Sequence, residues 1–286
     1  MNQNTAAKVK LIVTRVLAYS FLIFLTAICL LFFYILIVNA SKSNAELQGV
    51  WVPLFGSSFF TNLKSTLQDR NTVDVLTGFG NSIFVATFTS LLTTYFSALT
   101  AYAVHTYRFK GRKIVASFIL AIMMIPTQVS SAGFILLAFK LGLTNNLWML
   151  IIPSIASPAT YFYMIQYLKA TLPLDLVEAS RMDGSSEFMT FNRIVLPIMK
   201  PALAVQMIFS FVASWNNYYM PSLLISDPEK STLPIMLALL RSQAESQVDA
   251  GLIWMVVFLS IFPVMVVYIF LSKSIIKGVT SGSVKG

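Results

Sequence analysis

The chain has 286 residues, of which 57% are hydrophobic and 11% charged, with a net charge of +9 and a mean hydropathy of +0.76. A soluble domain carries about 25% charged residues, so this chain cannot wet the surface of a globule, and its natural solvent is a bilayer. The positive surplus raises the question of nucleic acid, which the placement of those charges along the chain answers in the negative.

A backbone group left unpaired in hydrocarbon costs several kcal/mol, so spanning segments are helices or a closed barrel. Apolar runs of about 20 residues, rather than alternating stretches of about 10, select helices. Residues 1–16 form a short basic N-terminus, followed by a first span at 17–38. That run is long enough to cross and no small-residue cleavage site follows it, so it is not read as a signal peptide. It holds the single cysteine, Cys29, and an intrachain disulfide is excluded. Segment 39–79 carries Trp51, Pro53, Phe55, Phe59 and Phe60 among polar residues. Aromatic side chains resting on headgroups would account for it; a docking surface for an external partner is the sharper alternative.

The core at 80–276 contains five further spans, at 80–104, 114–138, 147–168, 201–225 and 251–276, and residues 277–286 form a tail. Pro126, Pro153, Pro158 and Pro263 interrupt spans, each removing a backbone donor and kinking its helix. Membrane helices tolerate proline freely; breaks grouped around a pathway are the alternative. The fold class is an all-α integral membrane protein with six transmembrane helices.

Basic residues gather on one side: Lys8, Lys10 and Arg15; Arg108, Lys110, Arg112 and Lys113; Lys169, Arg181, Arg193 and Lys200; Lys273, Lys277 and Lys285. The other side has Lys42, Lys64, Arg70, Lys140, Lys230 and Arg241. Basic residues near span ends stay cytoplasmic, which puts both termini inside. The net charge is thus a topology signal, and no nucleic acid is implied.

No G-x-x-x-x-G-K-[ST] loop for nucleotide phosphates occurs, and one histidine with one cysteine makes no metal cluster. His105, beside Arg108 and Lys110, reads as an interfacial polar residue. None of the eleven acidic residues falls inside the six spans, whereas proton-coupled carriers keep an intramembrane carboxylate or ion pair. Sodium can be held by backbone carbonyls, so an ion-coupled transporter of a small polar solute stays as the alternative, with a non-transporting scaffold behind it. Concentrating a polar solute with neither ion nor nucleotide requires a partner to supply the drive.

The inner loop at 169–200 reads as two short helices. Pro173 suits the first turn of one, with Asp175 near its positive end. Gly184 can take φ > 0 and end that helix. Ser185 or Ser186 can cap a second helix carrying Phe188, Phe191, Ile194 and Val195, which Pro197 and Pro201 stop. Such an apolar helix either folds against its own spans or plugs a groove on a soluble partner.

Glu178-Ala179-Ser180, Asp183-Gly184 and, after nine residues, Ile194-Val195-Leu196-Pro197 resemble the E-A-A-x-x-x-G-x(9)-I-x-L-P loop of binding-protein-dependent ABC importer permeases. Only Ser180 departs, standing where the pattern has alanine. The resemblance implies the type I ABC importer permease fold, in the inner cell membrane of a prokaryote. It also implies a coupling role toward an ATPase for Glu178, Ala179, Gly184, Ile194, Leu196 and Pro197, with 185–193 (Ser185, Ser186, Phe188 and Phe191 among them) as the docking helix. The implied partners are a second permease subunit, two copies of an ABC ATPase and an extracytoplasmic solute-binding protein. The outer loops after the first and fifth spans would meet the binding protein. No cofactor is expected in this chain, ATP and Mg2+ belonging to the ATPase, and the chain itself is no enzyme.

Asn81-Ser82, Ala101-Tyr102-Ala103, Arg108-Phe109-x-Gly111, Ile125-Pro126, Trp215-Asn216-Asn217 and Thr232-Leu233-Pro234 resemble the maltose-type sugar permease branch. Val129 to Gly133 departs, where relatives often carry a further proline. A carbohydrate substrate, an oligosaccharide above all, is implied. Trp215 lies about 14 residues, or ~21 Å, into a span starting at Pro201, past the midplane toward the outside. Asn216 and Asn217 beside Trp215, Tyr218 and Tyr219 suit a sugar's hydroxyl rim and C–H faces; interhelical amide bonds under an aromatic belt are the other account.

Overall fold

The computed structural model describes residues 3–50, 52–68, 74–242 and 249–283, with side chains described between 8 and 272. Trp51 and Arg70, the side chains of Lys273 and Lys277, and Lys285 lie outside the described residues. The chain forms two compact units, 1–70 with 240–259, and 71–239 with 260–286.

In the first unit, helix α1 (Gln3–Ala40) has no polar face to turn toward water, and 33 of its residues, Lys8–Ala40, form one rod that is apolar beyond Arg15. Val9 to Phe33 are exposed on all sides; burial begins at Leu36. Ser43 then caps α2 (Asn44–Gln48) through a capping box with Glu46. In α3 (Phe59–Gln68) the buried Asn62 Nδ2 donates to the carbonyls of Ala40 and Lys42, both at 2.9 Å, which satisfies acceptors that the end of α1 leaves open. Gly251 packs on the same turn, where a Cβ would come 2.7 Å from the Lys42 carbonyl. The aromatic residues of this segment divide: Phe59 packs edge-on to Phe258, while Phe55 and Phe60 are exposed.

The second unit is organised on α4 (Val75–Thr106), capped by Asp74, whose carboxylate accepts from the Thr77 N–H. Its buried side includes Ser82, Ala86, Thr89, Ser90, Thr93, Ser97, Ala98 and Ala101. Small side chains let neighbouring helices approach closely where no hydrophobic effect drives them together.

The span expected as continuous at 114–138 is two helices, α5 (Arg112–Ile122) and α6 (Thr127–Lys140), bent by 94°. Pro126 has no N–H to continue the ladder and holds the preceding residue out of helix. The fourth span consists of α7 (Trp148–Ile151) with a 3-10 turn at Ile152–Ile155, then α8 (Pro158–Thr171), at 41°. There follow α9 (Leu174–Met182), α10 (Glu187–Thr190), a π-helical turn at Phe191–Val195 and α11 (Leu196–Ile198). An 82° bend leads into α12 (Lys200–Trp215). The expected span 201–225 stops at Trp215, and α13 (Tyr219–Leu224) is a separate element. Helices α14 (Leu233–Ser242) and α15 (Ala250–Ser283) belong in part to each unit. Pro263 sits inside α15 without ending it. Among the described residues three helices are long and apolar enough to cross a membrane, and three bent pairs bring the number to six if each is one span; the third pair, 187–215, begins in the inner loop and ends ten residues short of the expected 201–225.

Candidate functional site

The inner loop has a buried floor and an exposed roof. Gly184, at φ +79, ends α9, and its N–H closes the turn on the Arg181 carbonyl, as its freedom from Cβ strain allows. Ser186 caps α10 by accepting from the Met189 N–H at 3.3 Å. Ser185, the other candidate cap, instead accepts from the Thr190 hydroxyl at 3.1 Å. The hydroxyl of Ser180 donates to the Val177 carbonyl and stands 3.1 Å from Thr190 Oγ1.

Phe188 is 69% exposed, whereas Phe191 is 0% exposed. The expectation that both present a docking surface is thus corrected for Phe191. The π turn carries it inward, where it lies 5.6 Å from the Tyr95 ring and 5.4 Å from that of Tyr102, between centroids. Val177, Val195 and Met199 share this floor with Leu168 and Leu172. Ile194 and Leu196 are half-buried beside it, and Glu178, Ala179 and Pro197 are exposed. Pro197 does not stop the helix; it lies within α11, and the bend comes after Ile198.

Polar contacts tie α10 to α4. Glu187 Oε1 accepts from Arg181 Nε at 2.7 Å and its Oε2 accepts from Tyr102 Oη at 3.0 Å. Arg181 also lies over the Tyr107 ring at 5.5 Å, a cation–π contact. The hydrogen bond from Arg181 holds the Glu187 carboxyl below the usual carboxylate range. Asn192 donates to the Phe188 carbonyl at 2.8 Å and accepts from Tyr95 Oη at 3.2 Å.

A second feature is a cavity of about 610 Å³ where the helix breaks meet. Thr89 and Thr93 of α4, Ser130 of α6, Ser157 before α8, and Ser210, Ser214 and Asn217 around the end of α12 line it, with Phe134, Met149 and Met220 supplying apolar wall. Among the described residues no charged side chain lines it. Some hydroxyls bond back to the carbonyl one turn earlier, as Thr94 does to Ser90 and, in the cavity wall, Ser131 does to Thr127. By contrast, Ser130, Ser210 and Ser214 make no such bond among the described residues, and Asn217 uses only its Oδ1, toward the Met220 N–H. Thr89, 6% exposed, likewise has an unpartnered Oγ1.

Of the five expected pathway residues, only Asn217 lines this cavity. Trp215 is packed away, 3% exposed, stacked on Phe211 at 6.0 Å with its Nε1 donating to the Ser260 carbonyl. An indole in apolar surroundings uses its one donor internally, which corrects its placement on a pathway. Asn216, Tyr218 and Tyr219 are exposed and outside the cavity wall. The serines were not singled out from sequence, although Ser210 and Ser214 recur at i and i+4, on one helical face. Tyr95 and Asn192 had no local signal, since their contact is made between distant stretches.

A family model for the binding-protein-dependent transport system inner membrane component matches residues 105–276. The chain is 39% identical over 208 residues to the arabinooligosaccharides transport system permease protein AraQ of Bacillus subtilis (strain 168), covering 73% of each. It is 30% identical to the maltodextrin transport system permease protein MdxG of the same organism, over 100% of both chains. The trehalose/maltose transport system permease protein MalG of Thermococcus litoralis is 30% identical over 96% of this chain and 98% of its own. Among solved structures, a chain of a bacterial ABC transporter involved in the import of the acidic polysaccharide alginate superposes with a TM-score of 0.75 at 24% identity. It covers 91% of this chain and 96% of its own. Taken with the apolar helices and the two-helix loop, these likenesses settle the family: the chain belongs to the inner membrane components of binding-protein-dependent transport systems, the permeases of ABC importers.

Proposed function

We propose that this chain is one of two permease subunits of an ATP-driven oligosaccharide importer, and that α10 couples it to a separate ATPase. The observation that carries the coupling is Phe188: a phenyl ring 69% exposed, with Met189 exposed beside it, on a short helix anchored by the buried Thr190 and by Phe191 in the π turn that follows. An exposed aromatic on a rigid mount suits insertion into a groove on a soluble partner. Glu178, Ala179 and Gly184 shape the approach to that helix, Ser185 and Ser186 fix its start, and Ile194, Leu196 and Pro197 lead from it into the bilayer.

The complete machine contains a second permease subunit, two ATPase copies that bind ATP and Mg2+, and an extracytoplasmic solute-binding protein. Both termini of this chain lie in the cytoplasm, on the side where its basic residues gather. This chain makes no covalent change in its solute. Support for an oligosaccharide comes from the similar arabinooligosaccharide and maltodextrin permeases and from the cavity. Neutral hydroxyls and an amide beside apolar wall match a ligand with a hydroxyl rim and C–H faces.

The test is a cross-link from Phe188→Cys in the native membrane, in a Cys29→Ser background. Capture of a nucleotide-hydrolysing subunit, with loss of ATP-dependent uptake on cross-linking, is the expected result. Uptake by this chain alone, driven by an ion gradient without ATP, would overturn the reading in favour of a secondary transporter.

A further inference from the structure

Two routes lead from α10 into the bilayer. One is covalent, through the π turn at Phe191–Val195, α11 and the 82° bend into α12. A bend of that size between short elements is a poor rod for a push, because small rotations about a few backbone bonds absorb the displacement. The other is lateral, into α4, and it consists of side chains of α9, of α10 and of the first residues of the π turn, before the bend. Glu187 accepts from Tyr102, Asn192 accepts from Tyr95, Phe191 is buried against both rings, and Arg181 covers Tyr107. Tyr95 and Tyr102 are two helical turns apart, so the contact extends along α4 rather than meeting it at a point.

The receiving helix is built differently from its neighbours. Among the described spans of this unit, α4 alone has neither a break nor an internal proline. Thr93 and Thr89, which line the cavity, lie two and six residues from Tyr95 on the same rod, about 3 and 9 Å of rise. At its far end, Asn81 Nδ2 donates to the carbonyls of Glu229 and Ser231, both at 2.9 Å, and Ser82 Oγ accepts from the Leu233 N–H at 2.8 Å. A shift of α4 therefore moves a cavity wall and the 229–233 segment together.

We infer that Tyr95 and Tyr102 are positioning residues that pass the displacement of α10 sideways into α4, which carries it to the cavity, while the bend at 199 is a passive joint. This rests on the proposed coupling role of α10, and the two can fail separately.

The experiment uses the complete importer in proteoliposomes, with solute uptake and ATP hydrolysis measured on the same sample. Tyr95→Phe with Tyr102→Phe removes two hydroxyls and keeps both rings. We expect solute molecules moved per ATP to fall by about tenfold, as loss of two hydrogen bonds of ordinary strength implies, with hydrolysis and assembly retained. Glu187→Gln, which keeps an acceptor for Tyr102 but loses the charge facing Arg181, gives a smaller loss of the same kind. Lys200→Gly, which loosens the covalent route at an exposed site, leaves the ratio unchanged. An unchanged ratio in the tyrosine pair, or a fall in Lys200→Gly instead, overturns the lateral route. If Phe188→Asp also leaves uptake and hydrolysis coupled, the coupling role of α10 itself is what has failed.

Discussion

Ser180 occupies a position where the importer-loop pattern carries alanine, and its surroundings explain why a hydroxyl is harmless there. It is buried, and it answers both the Val177 carbonyl and Thr190 across the turn; a buried hydroxyl left unmet would cost about 1–3 kcal/mol. The departure was legible in the sequence. Its remedy was not, because Thr190 reaches Ser180 only at the angle that Gly184 sets. Glu187 was unremarkable in sequence for the same reason, since its partners come from α9 and α4. The carboxyl's ordinary value is 4.5, and Arg181 lowers it in the fold. A depressed carboxylate contributes stability that is present above its unfolded value and is lost as pH falls through the folded one. The wild type should therefore melt above Glu187→Gln at neutral pH and converge with it below pH 4.5; a thermal scan of both proteins against pH, in detergent, checks this.

At the level of helices, prolines told where spans break but not by how much. One lost donor is followed by a 94° turn at Pro126, while Pro263 leaves α15 continuous. What decides the angle is whether neighbours take up the freed carbonyls and side chains, and a single sequence does not encode those neighbours locally. The break after Trp215 had no proline to announce it; Asn216 and Asn217 end α12 there. Gly184, in contrast, was readable, because the demand for φ > 0 is a local one. No atom lies within 4 Å of where its Cβ would be, so Gly184→Val acts through backbone strain alone, about 1–2 kcal/mol. That is enough to tilt α10 without unfolding the spans. We expect the variant to insert at normal levels yet lose most solute uptake, as measured in inverted against right-side-out vesicles.

For the molecule as a whole, the apolar runs carried most of the architecture, and the sorting of basic residues bears only on orientation. Among the described residues the long apolar runs are helical, as runs of about 20 residues rather than alternating stretches of about 10 require in lipid. The cavity lay beyond reach because it is assembled from four stretches of chain. Orientation is testable directly. In a Cys29→Ser background, Met182→Cys should react with a membrane-impermeant maleimide only from the cytoplasmic face, and Val50→Cys only from the opposite one; both side chains are exposed. Helix α1 has a consequence of its own. The 33 residues from Lys8 to Ala40 make a rod about 50 Å long, against a hydrocarbon layer of about 30 Å, so the length of the helix alone does not fix its depth. Lys8, Lys10 and Arg15 act as a keel: their ammonium and guanidinium groups resist being drawn into oil, and with them gone the rod would be free to slide and tilt.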